Sequence, residues 1–151
     1  MLSKLAKRRL GQLIEFMSKV PKEYGAHFHM KSWVMHNGNW ANVIGNHGIK
    51  KAADVDQEKL IECGMSACAL GWGATIPSFK RAGLKLRVKK DGWSPGVLEP
   101  VYKGAADMDA AEKFFDIDEE LAVRLFGPDN DDRTQREWAK RAKALVRKWP
   151  L

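Results

Sequence analysis

The chain has few of the residues that staple, ligate and catalyse. Of its 151 residues only two are cysteine, Cys63 and Cys68, and only four are histidine, none after His47. So few cysteines exclude a disulfide framework, and a chain of this length buries roughly 68–70% of its unfolded surface without one. Both thiols are expected to be reduced, metal-free and buried among small apolar neighbours. No apolar run approaches the ~18 residues of a membrane span: the longest, Ala67 to Pro77, is shorter and interrupted by glycines. Behind Lys4, Lys7, Arg8 and Arg9 no unbroken apolar stretch follows, because Gln12 and Glu15 interrupt it, so no export signal and a cytoplasmic location are expected. Pro/Gly/Ser-rich tracts, internal repeats and long linkers are also missing. That leaves one domain over residues 1–151, with no membrane contact.

What the chain does have is positive charge, concentrated at its ends. Residues 1–31 carry seven Lys/Arg against two Glu, residues 32–132 carry twelve against sixteen acids, and residues 133–151 carry seven against one. Two terminal helices packed side by side would therefore form one basic face on a mildly acidic body. Such a face attracts nucleic acid, anionic lipid or an acidic protein, although Lys and Arg also simply solvate outer helix faces.

The helices are legible from their periodicity. Leu2, Leu5, Leu10, Leu13, Ile14 and Met17 predict an amphipathic helix from about Ser3 to Val20, stopped by Pro21, with Lys4, Lys7 and Arg8 outside. Near the other end, Thr134-Gln-Arg-Glu137 reads as a capping box, opening a helix over residues 134–149. Trp138, Ala142, Leu145, Val146 and Trp149 are its expected apolar stripe, and Arg136, Lys140, Lys143 and Arg147 its basic side. A short helical piece is expected over Lys31 to His36, and Asn37 to Gly48 reads as a turn-rich loop. Asp56 caps a short helix, a buried helix runs from about Met65 to Gly71, and Pro77 opens another turn of helix. Alternation in Leu84, Leu86 and Val88 against Lys85, Arg87 and Lys89 predicts a strand that pairs with Leu98 to Tyr102. Helices follow over Asp107 to Phe115 and from Asp118 to Phe126. The predicted fold is therefore α+β, mainly α-helical: a compact helical domain with one small β-hairpin.

Three functions compete. The leading one is a non-enzymatic binding protein that contacts a macromolecule through the basic face of Lys4, Lys7, Arg8, Arg136, Lys140, Lys143 and Arg147. The loop aromatics Trp40 and Trp93 are placed to assist it, while Trp33, Trp72, Trp138 and Trp149 fall on apolar faces and read as core. Direct nucleic-acid binding through the same face is the second. The third is a cysteine-dependent enzyme using Cys63 or Cys68 with an upstream base, His36 or His47, since a thiol in the first turn of a helix can be activated. A zinc site from the two cysteines and two histidines is disfavoured by a long cysteine gap and by the His27-Phe-His29 alternation, so no metal or cofactor is expected. Asp129, Asp131 and Asp132 lack the EF-hand order and read as a solvated loop ahead of the last helix.

Cys63-Gly-Met-Ser-Ala-Cys-Ala-Leu-Gly-Trp72, then Ile76-Pro-Ser-Phe79, Ala110-Ala111-Glu-Lys-Phe114-Phe115 and Leu125-Phe126, make an order of motifs. It resembles a group of small, functionally uncharacterised bacteriophage and proteobacterial proteins with a CGTxACxxGWA-type segment, an AAxxFFG-type helix and a short helix ending in LF. The resemblance covers about residues 30–147, with Met65 where Thr is usual and Gly73 where Ala is usual. It implies an accessory protein or inhibitor acting inside a bacterial host cell, with no activity attached.

Overall fold

The computed structural model describes residues 1–30, 34–35, 50–62, 66–89 and 98–150. Helix α1, Lys4–Ser18, starts where the Ser3 hydroxyl accepts the Ala6 N–H at 3.0 Å, and its buried edge is Ala6, Leu10, Leu13 and Met17. Five short helical pieces follow among the described residues, three of them at the predicted punctuation and one, a 3₁₀ turn over Ala52–Asp54, just ahead of these. A 3₁₀ turn spans Lys22–His27, α2 spans Gln57–Glu62 behind the Asp56 cap, α3 spans Ala69–Gly73, and α4 spans Pro77–Arg81 with Pro77 in its first turn. Helix α3 starts later than the sequence suggests, because Ser66 and Ala67 are taken into a strand and Cys68 becomes the N-cap.

The expected hairpin is present as β3, Lys85–Val88, antiparallel to β4, Leu98–Tyr102, with Leu86 opposite Pro100. It belongs to a wider sheet ordered β2-β1-β4-β3, in which β1 is Val34–Met35, β2 is Ser66–Ala67, and β5, Ala105–Ala106, also pairs with β4. At Val34 and Met35 this corrects the helix expected over Lys31 to His36, whose other residues lie outside the described ones. The backbone of Val34 pairs with Ala67 on one side and Leu98 on the other, so the central strand β4 recruits it and long-range pairing overrides the local apolar spacing. The fold is thus α+β and mainly helical.

Helix α5, Asp107–Phe115, and α6, Glu119–Phe126, deliver the aromatic centre. Phe114 and Phe115 meet edge to face at 5.1 Å, Phe115 stacks on Phe126 at 5.3 Å, and Phe126 stacks on Trp138 at 5.9 Å. Trp138 belongs to α7, Gln135–Lys148, and is fully buried with its indole N–H donating to the Leu125 carbonyl at 2.7 Å. Trp72 is likewise buried and donates to the His27 carbonyl at 3.0 Å. The capping box at Thr134 is half as predicted. Its hydroxyl accepts the Glu137 N–H at 3.1 Å, but Glu137 reaches back one residue further, to the Arg133 N–H.

The last helix packs its expected stripe on the core with burial that fades toward its end. Gln135, Trp138, Ala139 and Ala142 are buried, whereas Leu145, Val146 and Trp149 are half-buried. Gln135 is tolerated inside because its amide donates to the Tyr24 carbonyl at 2.8 Å. Asp132, expected in a solvated loop, instead has a side chain 7% exposed that pairs with Arg141 at 2.7 Å, tying the loop to the helix it precedes.

Candidate functional site

Helices α1 and α7 pack side by side and antiparallel. The direction is set at one end, where Arg136 at the start of α7 donates to the Val20 carbonyl just beyond α1 at 2.9 Å. Between their outward edges runs an open groove of about 610 Å³. Its apolar floor consists of Gly11 and Ile14 from α1 and Ala139 and Val146 from α7. Lys7 stands on the α1 rim, and Arg136, Lys140, Lys143 and Arg147 stand on the α7 rim, with Glu15 and Ser18 completing the α1 side.

Helical spacing explains why these residues converge. Lys7, Gly11, Ile14 and Ser18 are separated by four, three and four positions, one stripe of a 3.6-residue helix. Arg136, Ala139 and Lys140, Lys143, and Val146 and Arg147 repeat the same rule on α7. Five of the seven cations predicted for the basic face therefore line one groove, and two do not. Lys4 lies one turn before Lys7, beyond the groove's end, and Arg8 lies about 100° further round the helix; both are exposed.

The cations differ in what they are already doing. Arg136 is spent in part on the Val20 carbonyl. Lys7, Lys140, Lys143 and Arg147 take part in no ion pair among the described residues. Glu15, the one acid on the lining, is engaged by Lys19 at 2.8 Å, and that lysine's hydrogen bond and charge hold its carboxyl below the usual range. The groove thus presents unneutralised positive charge over an apolar floor.

Two further arginines never join a binding face. Arg9 lies with its guanidinium 4.0 Å from the centre of the Phe114 ring and donates to the Phe114 carbonyl, locking α1 to α5. Arg141 holds Asp132 and the carbonyls of Arg124 and Leu125 at the end of α6. Both are structural clamps, which sequence reasoning counted only as charge. The floor was missed as well. Its one visible signal was Gly11, a lone glycine inside an otherwise strongly amphipathic helix.

The thiol chemistry stands apart from this groove. Cys68 is completely buried at the head of α3, and burial pushes its thiol up to about 12, against backbone N–H groups at Gly71 and Leu70 that favour the thiolate. A thiol so placed is protonated at neutral pH and poorly suited to attack. Cys63, His36, His47, Trp33, Trp40 and Trp93 lie outside the described residues, as do the turns expected at Asn37 to Gly48 and Asp91 to Gly96. Among the described residues no group of three or more His, Cys, Asp or Glu side chains is arranged to hold a metal ion, and no helix is long and apolar enough to cross a membrane.

Burial of Cys68 has a measurable consequence. An unfolded chain ionises its thiol near 9 and the folded chain near 12, so the folded state is favoured fully below pH 9, and this stabilisation is lost as pH rises from 9 to 12. Chemical denaturation across that window should show wild-type stability falling more steeply than that of Cys68→Ala, by up to about 4 kcal/mol at about 1.4 kcal/mol per unit. Parallel curves would place the thiol in solvent.

No protein-family model matches the chain, and comparison with curated proteins and with solved structures finds no match. The geometry of the groove therefore carries the functional argument.

Proposed function

We propose that the chain is a non-enzymatic binding protein, of the accessory or inhibitor kind, whose α1–α7 groove takes an acidic segment of a partner protein. The observation that carries this reading is the pairing of an apolar floor with a basic rim. Gly11, Ile14, Ala139 and Val146 supply surface that gains from losing water, while Lys7, Lys140, Lys143 and Arg147 supply charge with no ion-pair partner among the described residues. A phosphate backbone needs the second of these and has no use for the first. Among the described residues lining the groove there is no aromatic ring on which a base could stack.

Nucleic-acid binding is the second reading, favoured by the density of cations that make no ion pair among the described residues. Salt separates the two. Four phosphate contacts on duplex DNA would weaken binding by about two orders of magnitude over a fourfold salt increase, from a log–log slope near −0.9 per contact. Fluorescence anisotropy should show binding of a Glu-rich, Leu-containing peptide and none of duplex or single-stranded DNA or RNA at ~50 mM salt, where the phosphate attraction is strong. Micromolar, steeply salt-dependent nucleic-acid binding would transfer the groove to that partner.

The triple variant Lys140→Ala, Lys143→Ala, Arg147→Ala tests the rim itself. All three residues are exposed and lack ion pairs among the described residues, so the melting temperature should stay within a few degrees of wild type. Peptide affinity should fall roughly tenfold or more, from loss of three charges facing the same acidic flank. Unchanged affinity would make these residues solvated helix charges.

A further inference from the structure

We propose, resting on that reading, that the occupant is an α-helix of about three turns, apolar along one edge and acidic along its flanks, lying lengthwise in the groove. Both walls have the dimensions for it. Lys7 to Ser18 and Arg136 to Arg147 each span twelve residues, about 16 Å at 1.5 Å per residue. Two antiparallel helices leave an outer furrow in which a third helix packs, as in a helical bundle.

An extended segment is the poorer fit. Strand addition needs a row of unsatisfied backbone N–H and C=O groups, and both walls here are the flanks of continuous α-helices whose interior backbone groups bond along their own axis. A helix needs no such groups, only an apolar furrow for its edge and opposite charges beside it. Side-chain bulk on the α1 wall is least at the exposed Gly11, where a Cβ would meet nothing within 4 Å. No described residue therefore keeps Gly11 small, even though glycine weakens a helix relative to alanine. An occupant's backbone can come closest there.

Charge fixes how the occupant lies. The α7 wall offers Lys140, Lys143 and Arg147, while the α1 wall offers Lys7 near one end and the already paired Glu15 further along. The more acidic flank of the incoming helix faces α7. A second copy of this groove is excluded as occupant, because two rims of the same sign would be brought together.

The test uses three fluorescein-labelled peptides of about sixteen residues, a little longer than the groove. One has Leu at helical spacing with Glu on both sides, one is its scramble with the same composition, and one is the first with a central Pro. Each is titrated into the full chain and into its Gly11→Leu and Gly11→Ala variants, with melting temperatures measured alongside. The expected result is that the amphipathic peptide binds at least tenfold more tightly than the scramble or the Pro peptide. Gly11→Leu should weaken it at least tenfold without lowering the melting temperature, and Gly11→Ala should raise that temperature. Equal binding of all three acidic peptides would overturn the helical occupant while leaving an acidic partner in place. Failure of every acidic peptide would overturn both readings, and so would tight binding that Gly11→Leu leaves unchanged.

Discussion

A chain cut after Arg133 will not fold cooperatively. The truncation removes Trp138, Ala139 and Ala142, all buried, and with Trp138 it removes the ring that closes the stack running from Phe115 through Phe126. Truncating a buried Trp alone costs about 3–5 kcal/mol, against a total stability of about 5–15 kcal/mol for an ordinary domain. The cut also strips the Gln135 and Arg136 hydrogen bonds to Tyr24 and Val20 and removes the helix that α1 packs beside. Circular dichroism should show a broad, non-cooperative melt or an insoluble product. A soluble truncation with a sharp transition would make α7 an appendage and the groove a surface the fold does not require.

Reversing the charge of the α7 rim should reverse what the groove accepts. Lys140→Glu, Lys143→Glu, Arg147→Glu replaces three cations with three anions at positions that are exposed and lack ion pairs among the described residues. Binding of the acidic amphipathic peptide should fall at least about 100-fold, or about 2.7 kcal/mol, because attraction becomes like-charge opposition. The same variant should gain affinity for a peptide with Lys in place of every Glu. Equal loss for both peptides would mean that the substitutions damaged the apolar floor and not the field above it.

Much of this architecture was readable in the sequence because short-range rules govern it. Ser3, Asp56, Asp118 and Thr134 each announced a helix start, and each accepts a backbone N–H at the head of its helix. Alternation around Leu86 gave the hairpin. What could not be read was set by partners distant along the chain. Val34 is a strand residue because Ala67 and Leu98 pair with it, and Asp132 is buried because Arg141 reaches it across nine positions. The basic face was legible as charge, since Lys7, Lys140, Lys143 and Arg147 fall on outward stripes. Its division into clamps and rim was not. Arg9, Arg136 and Arg141 are set apart by the carbonyls, ring and carboxylate that the fold brings to their guanidinium groups. Val146 looked like core by spacing, yet the crossing of α1 and α7 leaves it on the groove floor.

The most direct test is an ¹⁵N–¹H correlation titration of the full chain with the acidic amphipathic peptide, following each backbone amide. The groove account predicts shifts confined to two stretches, Lys7 to Ser18 and Arg136 to Arg147, with the Gly11 amide among the largest and the amides of α4 and β3 unmoved. Shifts centred on the sheet, or spread evenly over every exposed lysine and arginine including Lys4, Arg8 and Lys103, would contradict it.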